Sequence, residues 1–286
     1  MSNLQGKRLI VTGASRGIGR AIALRAAEDG AKVAIVAKTQ EPHPKLDGTI
    51  YSVSEEVERA GGQALPIATD LRDANAIASM VEAATAVFGG IDILVNNASA
   101  IFRAPTAGTP IERFDLMHSV NVRATFACTS ACLPHLRRGV NPHILTISPP
   151  LNLNPRWFAP HLAYTLSKYG MSLCVLGHSE ELRSDGIAVN ALWPKTPIAT
   201  AAVANLSPDR LPRSRHPGIV ADAAHAILVR DARHCTGNFY LDEEVLRQEG
   251  MTDFRQYAFD PNTPPGLDIF LDDDAELSQA AGEGGT

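Results

Sequence analysis

Tyr164 and Lys168 lie four residues apart in the run YTLSK, a spacing that puts both side chains on one face of a helix. A free phenol has a pKa of about 10 and holds its proton at neutral pH. A neighbouring ammonium favours the phenolate and brings the group toward the working range of a general acid and base. The pair is therefore suited to moving a proton to or from a substrate oxygen. Elsewhere in a chain such a tyrosine is more often a half-buried ring with a wet hydroxyl, and such a lysine a solvated cation.

A second stretch raises a different question. In IVTGASRGIGRAI, residues 10–22, Gly13, Gly17 and Gly19 stand between a short apolar run and a helix-forming one. Glycine is costly in regular structure, so something must come close to this backbone. A strand ending at Thr12, a turn, and a helix starting near Gly17 would aim unpaired amides and a positive helix end at one point, a seat for a diphosphate. The spacing T-G-x-x-x-G-x-G in that setting favours dinucleotide binding over an ordinary tight turn.

These groups need a scaffold, and the pattern along the chain supplies one. Short β-branched runs (KRLIVT, KVAIVA, QALPIA, IDILVN, HILTIS, GIAVNALW, GNFYLD) alternate with longer helical ones, several of which close on glycine. The runs are apolar on both faces, as strands covered by helices on each side should be. The expected architecture is α/β: one doubly wound parallel sheet of about seven strands with helices on both faces, the Rossmann arrangement. Helices are expected over 111–138 and 161–184 among others. Composition shifts after about Asp242, so the chain divides into a main domain, 1–242, and a C-terminal extension, 243–286, whose last dozen residues are expected to be mobile.

Bulk composition removes several classes. A net charge of −5 over 286 residues, without a long Lys/Arg block, leaves no footprint for nucleic acid or an anionic membrane. No apolar run is long enough for membrane insertion, and MSNLQGKRL lacks the apolar region of a secretory leader. A cytoplasmic protein is expected. Cys128, Cys132, Cys174 and Cys235 read as buried free thiols; Cys128 and Cys132 share a helix face but lack partners at matching spacing, so no metal is expected.

Over residues 5–241 the chain resembles the short-chain dehydrogenase/reductase family, whose motifs appear in family order. TGASRGIG, residues 12–19, looks like the cofactor fingerprint, with Gly13, Ser15, Arg16, Gly17, Ile18 and Gly19 as contacts. Asp70 in ATDLRD is similar to the residue that meets the adenine ring, and Asn97 belongs to a segment, NNAS, like the family's N-N-A-G. Tyr164 and Lys168 match the catalytic Tyr-x-x-x-Lys, and Asn121 the helix asparagine that holds a water in the proton relay. The stretches AKTQEPHPKLDGTIY, ISPPLNLNPRWF and ALWPKT are closest to the hydroxysteroid dehydrogenase-like protein 2 branch. Members of that branch often carry a sterol-carrier domain, which is not expected here.

The resemblance implies hydride transfer with a nicotinamide cofactor, interconverting a carbonyl and a secondary alcohol. Lys168 would also bond the nicotinamide ribose, and the oxidised ring would further favour the Tyr164 phenolate. Thr196, after Pro194 and Lys195, would bind the carboxamide. The carbonyl-polarising donor departs from the pattern. The family places it about a dozen residues before the tyrosine, whereas Ser148 lies 16 before and is followed by Pro149 and Pro150, which have no N–H. Ser148 is the first candidate, with Asn152 or Asn154 as amide alternatives.

The end of the second strand reads Ala37-Lys38-Thr39 where an NAD site would need a carboxylate. Lys38 with Arg16 suits a 2′-phosphate, which favours NADP(H) over NAD(H). A lid is expected over 197–217, its Arg210, Arg213, Arg215 and His216 able to meet an anionic thioester, and Trp157 and Phe158 suit an apolar, lipid-like or alicyclic substrate. By resemblance the chain forms a homodimer or homotetramer through the helices at 111–138 and 161–184. The segment 239–265 is expected to fold back toward its own or a neighbour's cleft. Two competing readings stand beside this one: a nucleotide-bound binding or scaffold protein with little turnover, and an enoyl-thioester reductase.

Overall fold

The computed structural model describes residues 3–44 and 46–272. The expected mobility of the final dozen residues lies outside them. Strands β1 (Arg8–Thr12), β2 (Lys32–Ala37), β3 (Gln63–Ala68), β4 (Ile93–Asn96), β5 (His143–Ile147), β6 (Ala188–Trp193) and β7 (Phe239–Leu241) form one parallel sheet in the order β3-β2-β1-β4-β5-β6-β7. The order reverses between β1 and β4, and a crevice opens there above the carboxyl ends of the strands.

Alternate residues of each central strand feed two separate cores. Leu9, Val11, Val33 and Ile35 pack under helices α1 (Gly17–Glu28), α2 (Ile50–Arg59) and α8 (Gly218–Leu228). On the other face Ile10, Ala34 and Val36 meet α3 (Ala74–Phe88), α5 (Ala124–Leu136) and α6 (Leu162–Glu181). Cys128 and Cys132 are fully buried in this second core, where desolvation pushes the Cys128 thiol up to about 12. Burial on both faces holds for the central strands but not for the edges: β3 is half-exposed and β7 only partly covered. Pro66 is accommodated in β3 because an edge strand has one side free of ladder bonds.

The continuous helix expected over 111–138 divides into α4 (Ile111–Met117), a π-helical stretch at His118–Arg123 and α5. The wider turn carries the fully buried Asn121, whose side chain accepts from Ala100 N at 2.7 Å and donates to Ala100 O at 3.0 Å and Ser167 Oγ at 2.9 Å. Those three bonds tie the loop after β4 to α6.

Past β7 the chain enters α9 (Asp242–Gln248), and the segment beyond it packs on the main domain instead of hanging free. Phe254 and Tyr257 join the first core; Phe270 and Leu271 join a third cluster with Tyr164, Tyr169 and Trp193. The extension folds over its own cleft. Two short helical pieces, α7 (Ala201–Leu206) and a 3-10 segment at Pro208–Arg213, form the rim opposite.

Candidate active site

A cavity of about 1320 Å³ runs along the carboxyl ends of the strands, from Arg16 and Lys38 at one end to Tyr164, Lys168 and Asp268 at the other. At its first end stands the N-terminus of α1. Arg16 is the N-cap in extended conformation and its side chain makes no capping bond, so the leading amides of the helix face the cavity with their positive dipole.

What comes close to the glycines is partly the chain itself. Asn97 Nδ2 donates to Thr12 O at 2.8 Å and to Gly13 O at 3.1 Å, while Asn97 N donates to Thr12 Oγ1 at 3.0 Å. A Cβ on Gly19 would lie 2.4 Å from Asn97 Nδ2 and 2.6 Å from Gly13 O. Gly19 thus permits packing of helix against strand end, whereas Gly13, Ser15, Arg16, Gly17 and Ile18 line the cavity and are placed to meet a ligand.

The long connection after β2 docks on this end. Arg16 donates through Nε to Asp47 O at 3.0 Å and through Nη2 to Gly48 O at 3.1 Å, and Thr49 then caps α2 by a reciprocal bond pair with Ser52. Lys38 and Asp47 line the same end. Asp70 also reaches the cavity, but Arg72 grips its carboxylate and holds it at about 2.

At the other end, α6 presents Tyr164 and Lys168 as the sequence spacing requires. Both are buried, 5% and 2% exposed, yet both line the cavity. Lys168 Nζ donates to Ile147 O at 2.7 Å and lies 5.1 Å from the centre of the Trp193 ring. The expected electrostatics are reversed in the structure. Burial pushes the Tyr164 phenol up, with the charge of Asp268 acting the same way, and pushes Lys168 down to about 7 against the opposing pull of Asp268. Desolvation of both charged forms outweighs their mutual benefit.

Taken together, a glycine turn leading into α1 and a Tyr-Lys pair line opposite ends of one cavity, and Asn121 ties a π-helical turn to α6. The family model for short chain dehydrogenase matches residues 7–211. The chain belongs to the short-chain dehydrogenase family. Hydroxysteroid dehydrogenase-like protein 2 of Xenopus laevis is 53% identical over 281 residues, 98% of this chain and 67% of that protein. The chain spans about two thirds of the length of the curated relatives it matches. Among solved structures, a short chain dehydrogenase from Mycobacterium thermoresistibile superposes with a TM-score of 0.90 at 51% identity, covering 94% of this chain and 96% of that one. A metagenomic short-chain oxidoreductase in complex with NADP gives 0.69 at 29% identity, covering 83% of this chain and 97% of that one.

Ser148, the first candidate for the carbonyl-polarising donor, does not reach the cavity. Ser148 is fully buried, its Oγ has no hydrogen-bond partner among the described residues, and it lies outside the cavity lining. Asn152 and Asn154 lie outside the cavity lining as well, and Asn152 Nδ2 donates to Asp272 Oδ2 at 2.6 Å. Thr196 is buried with an unpartnered Oγ1, just after the Pro194 that lines the cavity.

The lid cations are committed elsewhere than to an anionic ligand. Arg210 Nη2 donates to Leu267 O at 2.5 Å and pairs with Asp268 at 3.5 Å, Arg213 Nε donates to Pro264 O at 3.4 Å, and Arg215 pairs with Glu243 at 2.6 Å. All three hold the C-terminal extension, and His216 N donates to Tyr257 O within it. Trp157 and Phe158 pack around Phe270 and Tyr169, off the main cavity. Sequence reasoning missed Arg103, Asp268 and Ile269, which line the substrate end. The signal available was LDIFLD, residues 267–272, an apolar patch inside an acidic tail.

No helix among the described residues is long and apolar enough to cross a membrane, and no group of three or more His, Cys, Asp or Glu side chains there is gathered to hold a metal ion.

Proposed function

We propose that the chain is an NADP-dependent oxidoreductase interconverting a carbonyl and a secondary alcohol on an apolar, lipid-like or alicyclic molecule, with Tyr164 as general acid and base. The observation that carries this is a single cavity with cationic, amide-rich chemistry at one end and the Tyr164–Lys168 pair at the other. A nicotinamide cofactor, when bound, supplies or takes up the hydride. The α1 amides from Ser15 to Ile18 suit its diphosphate, Asp70 its adenine, and Lys168 and Thr196 its nicotinamide half. Lys38 and Arg16 suit a 2′-phosphate; β2 ends on Ala37, which offers no carboxylate to a ribose hydroxyl. The NADP held by the metagenomic relative is consistent with that preference.

Tyr164 holds a proton that it hands to the substrate oxygen in reduction and recovers in oxidation. Burial favours the protonated phenol, which suits the donor role. Lys168 sits within the same wall, where its ammonium lowers the energy of the phenolate formed on donation. Asn121 holds the loop after β4 to α6 and so keeps the proton path in register. Ile101, Leu116, Val120 and Leu206 give the substrate end an apolar lining. Exposed Phe126, Leu166, Leu173 and Leu176 on α5 and α6 offer an apolar face for a homodimer or homotetramer. Four free thiols suit a reducing compartment such as the cytoplasm.

The withdrawal of Ser148 from the cavity favours a second reading, a nucleotide-binding protein with little turnover. The enoyl-thioester reading loses its support, since the lid arginines hold the extension. Fluorescence titration with NADPH and NADH, followed by a panel of apolar ketones and secondary alcohols, separates them. The proposal expects tighter NADPH binding and measurable turnover; tight binding with no turnover across the panel favours the binder.

A further inference from the structure

The residues that close the substrate end come from beyond the matched family region. Residues 267–272 cross the mouth of the cavity as a strap, and each part is fastened to a different element. Asp268 N donates to Lys195 O at 2.9 Å, Trp193 Nε1 to Ile269 O at 3.2 Å, and Arg210 Nη2 to Leu267 O at 2.5 Å. Asp272 accepts from Asn152, Trp157 and Arg156. Between these anchors Phe270 is fully buried, 5.2 Å from the Tyr169 ring centre, 5.8 Å from Trp193 and 6.3 Å from Tyr164. A segment anchored on both sides of a buried ring is part of the pocket wall, not a frayed end.

Asp268 is the charged residue that this strap carries into the cavity. Its side chain is 14% exposed and lines the same space as Tyr164 and Lys168. Its ion pair with Arg210 is loose, at 3.5 Å, so that pair leaves much of the carboxylate charge to act on the pocket. The charged and titratable groups that face it are Arg210 from the lid, Arg103 from the loop after β4, and Lys168 and Tyr164 from α6.

We propose that this strap is a built-in wall of the reaction pocket and that Asp268 on it is a positioning residue, the counter-charge that keeps Lys168 an ammonium beside Tyr164. The proposal rests on the catalytic reading of that pair given above. Burial drives Lys168 toward its neutral form, and a neutral amine cannot stabilise a phenolate. Asp268 opposes that drive: Trp193, whose ring centre lies 5.1 Å from Lys168 Nζ, also donates from Nε1 to Ile269 O, which brings the strap and its carboxylate to the Lys168 end of the cavity. Burial raises Asp268 itself to about 6, so the counter-charge is present above that value and fades below it.

The test reads Lys168 directly, without turnover or cofactor. The pH dependence of Lys168 acetylation by acetic anhydride is measured by mass spectrometry on the full chain, in wild type, Asp268→Asn, Asp268→Ser and Asp268→Glu, with melting curves confirming the fold. The wild-type midpoint is expected near 7. Both neutral variants should shift it down by roughly one unit, the effect of losing one nearby opposite charge, and Asp268→Glu should restore it. An unchanged midpoint in either folded neutral variant overturns the proposal, as does an equal shift in Asp268→Glu, which would mark a packing effect. Either result leaves the catalytic reading intact, because that reading is tested by turnover in Tyr164→Phe.

Discussion

Gly19 is held against Asn97 and Gly13 O so closely that one added methyl has nowhere to go: the nearest atoms would be 2.4 and 2.6 Å away, and the second is backbone. Gly19→Ala should therefore push Asn97 off the glycine turn and distort the α1 amides together. Overpacking of this kind costs about 1–3 kcal/mol. NADPH affinity, read by fluorescence titration, should fall about tenfold or more, with a lower melting temperature; unchanged affinity would show that the turn does not bind the cofactor. At this scale the shared placing of Tyr164 and Lys168 in one cavity wall was legible because it depends on spacing along a helix, whereas Asn121 was picked out by resemblance. Their charge states were not. Whether Lys168 lowers the phenol or both groups are driven neutral depends on how deeply α6 is buried, and that is decided by Trp193, Phe270 and Ile147, far away in sequence. Ser148 illustrates the same limit: its position in the chain was plain, but its burial behind the cavity wall follows from how the chain turns after β5.

Among the elements, the turn before β4 is tied by a single carboxylate. Asp92 accepts from Arg8 N, Arg8 Nε, Arg8 Nη2 and Val140 N, joining the starts of β1 and β4 to the chain leading into β5. Burial pushes its carboxyl up, but the Arg8 guanidinium and the two amides win and hold it below the usual carboxylate range. Asp92→Asn should cost about 3 kcal/mol in urea unfolding at pH 7, as for breaking a buried pair. A lowered carboxyl stabilises above its unfolded value, and that contribution is lost as pH falls through the folded value. The gap between wild type and variant should accordingly narrow below about pH 4, the ordinary Asp range; a gap independent of pH would assign the loss to packing. The strands were legible because apolar runs bounded by turns recur along the chain, and β2 and β3 match their expected limits. The π-helical break at His118–Arg123 was hidden, since residue types along 111–138 do not report which carbonyl each amide bonds.

For the molecule as a whole, the α5 and α6 face is the exposed apolar surface that a homo-oligomer would cover. Phe126 is 57% exposed and Leu173 56%. Replacing both with Asp should convert the protein to a monomer in sedimentation while leaving NADPH affinity unchanged; an unaltered sedimentation coefficient would place any interface elsewhere. The extension is where whole-chain reading was weakest. Folding back was expected for residues 239–265, where Phe254 and Tyr257 are indeed buried, but not for the stretch beyond, where Phe270 enters the third core. Three isolated aromatic anchors in a polar segment have no period to detect, although the lid arginines that grip them were visible as a cluster. The fold, the glycine turn and the placing of Tyr164 beside Lys168 were readable because each rests on local spacing. The pocket wall was not, because it depends on contacts between residues a hundred positions apart.

The central claim is that Tyr164 exchanges the substrate proton at one end of the cavity while the cofactor is held at the other. It is tested most directly by turnover of a reducible ketone by Tyr164→Phe, measured beside its NADPH affinity. The account predicts a loss of turnover of about 10²-fold or more, the usual worth of a general acid, with affinity unchanged. Turnover equal to wild type would contradict it.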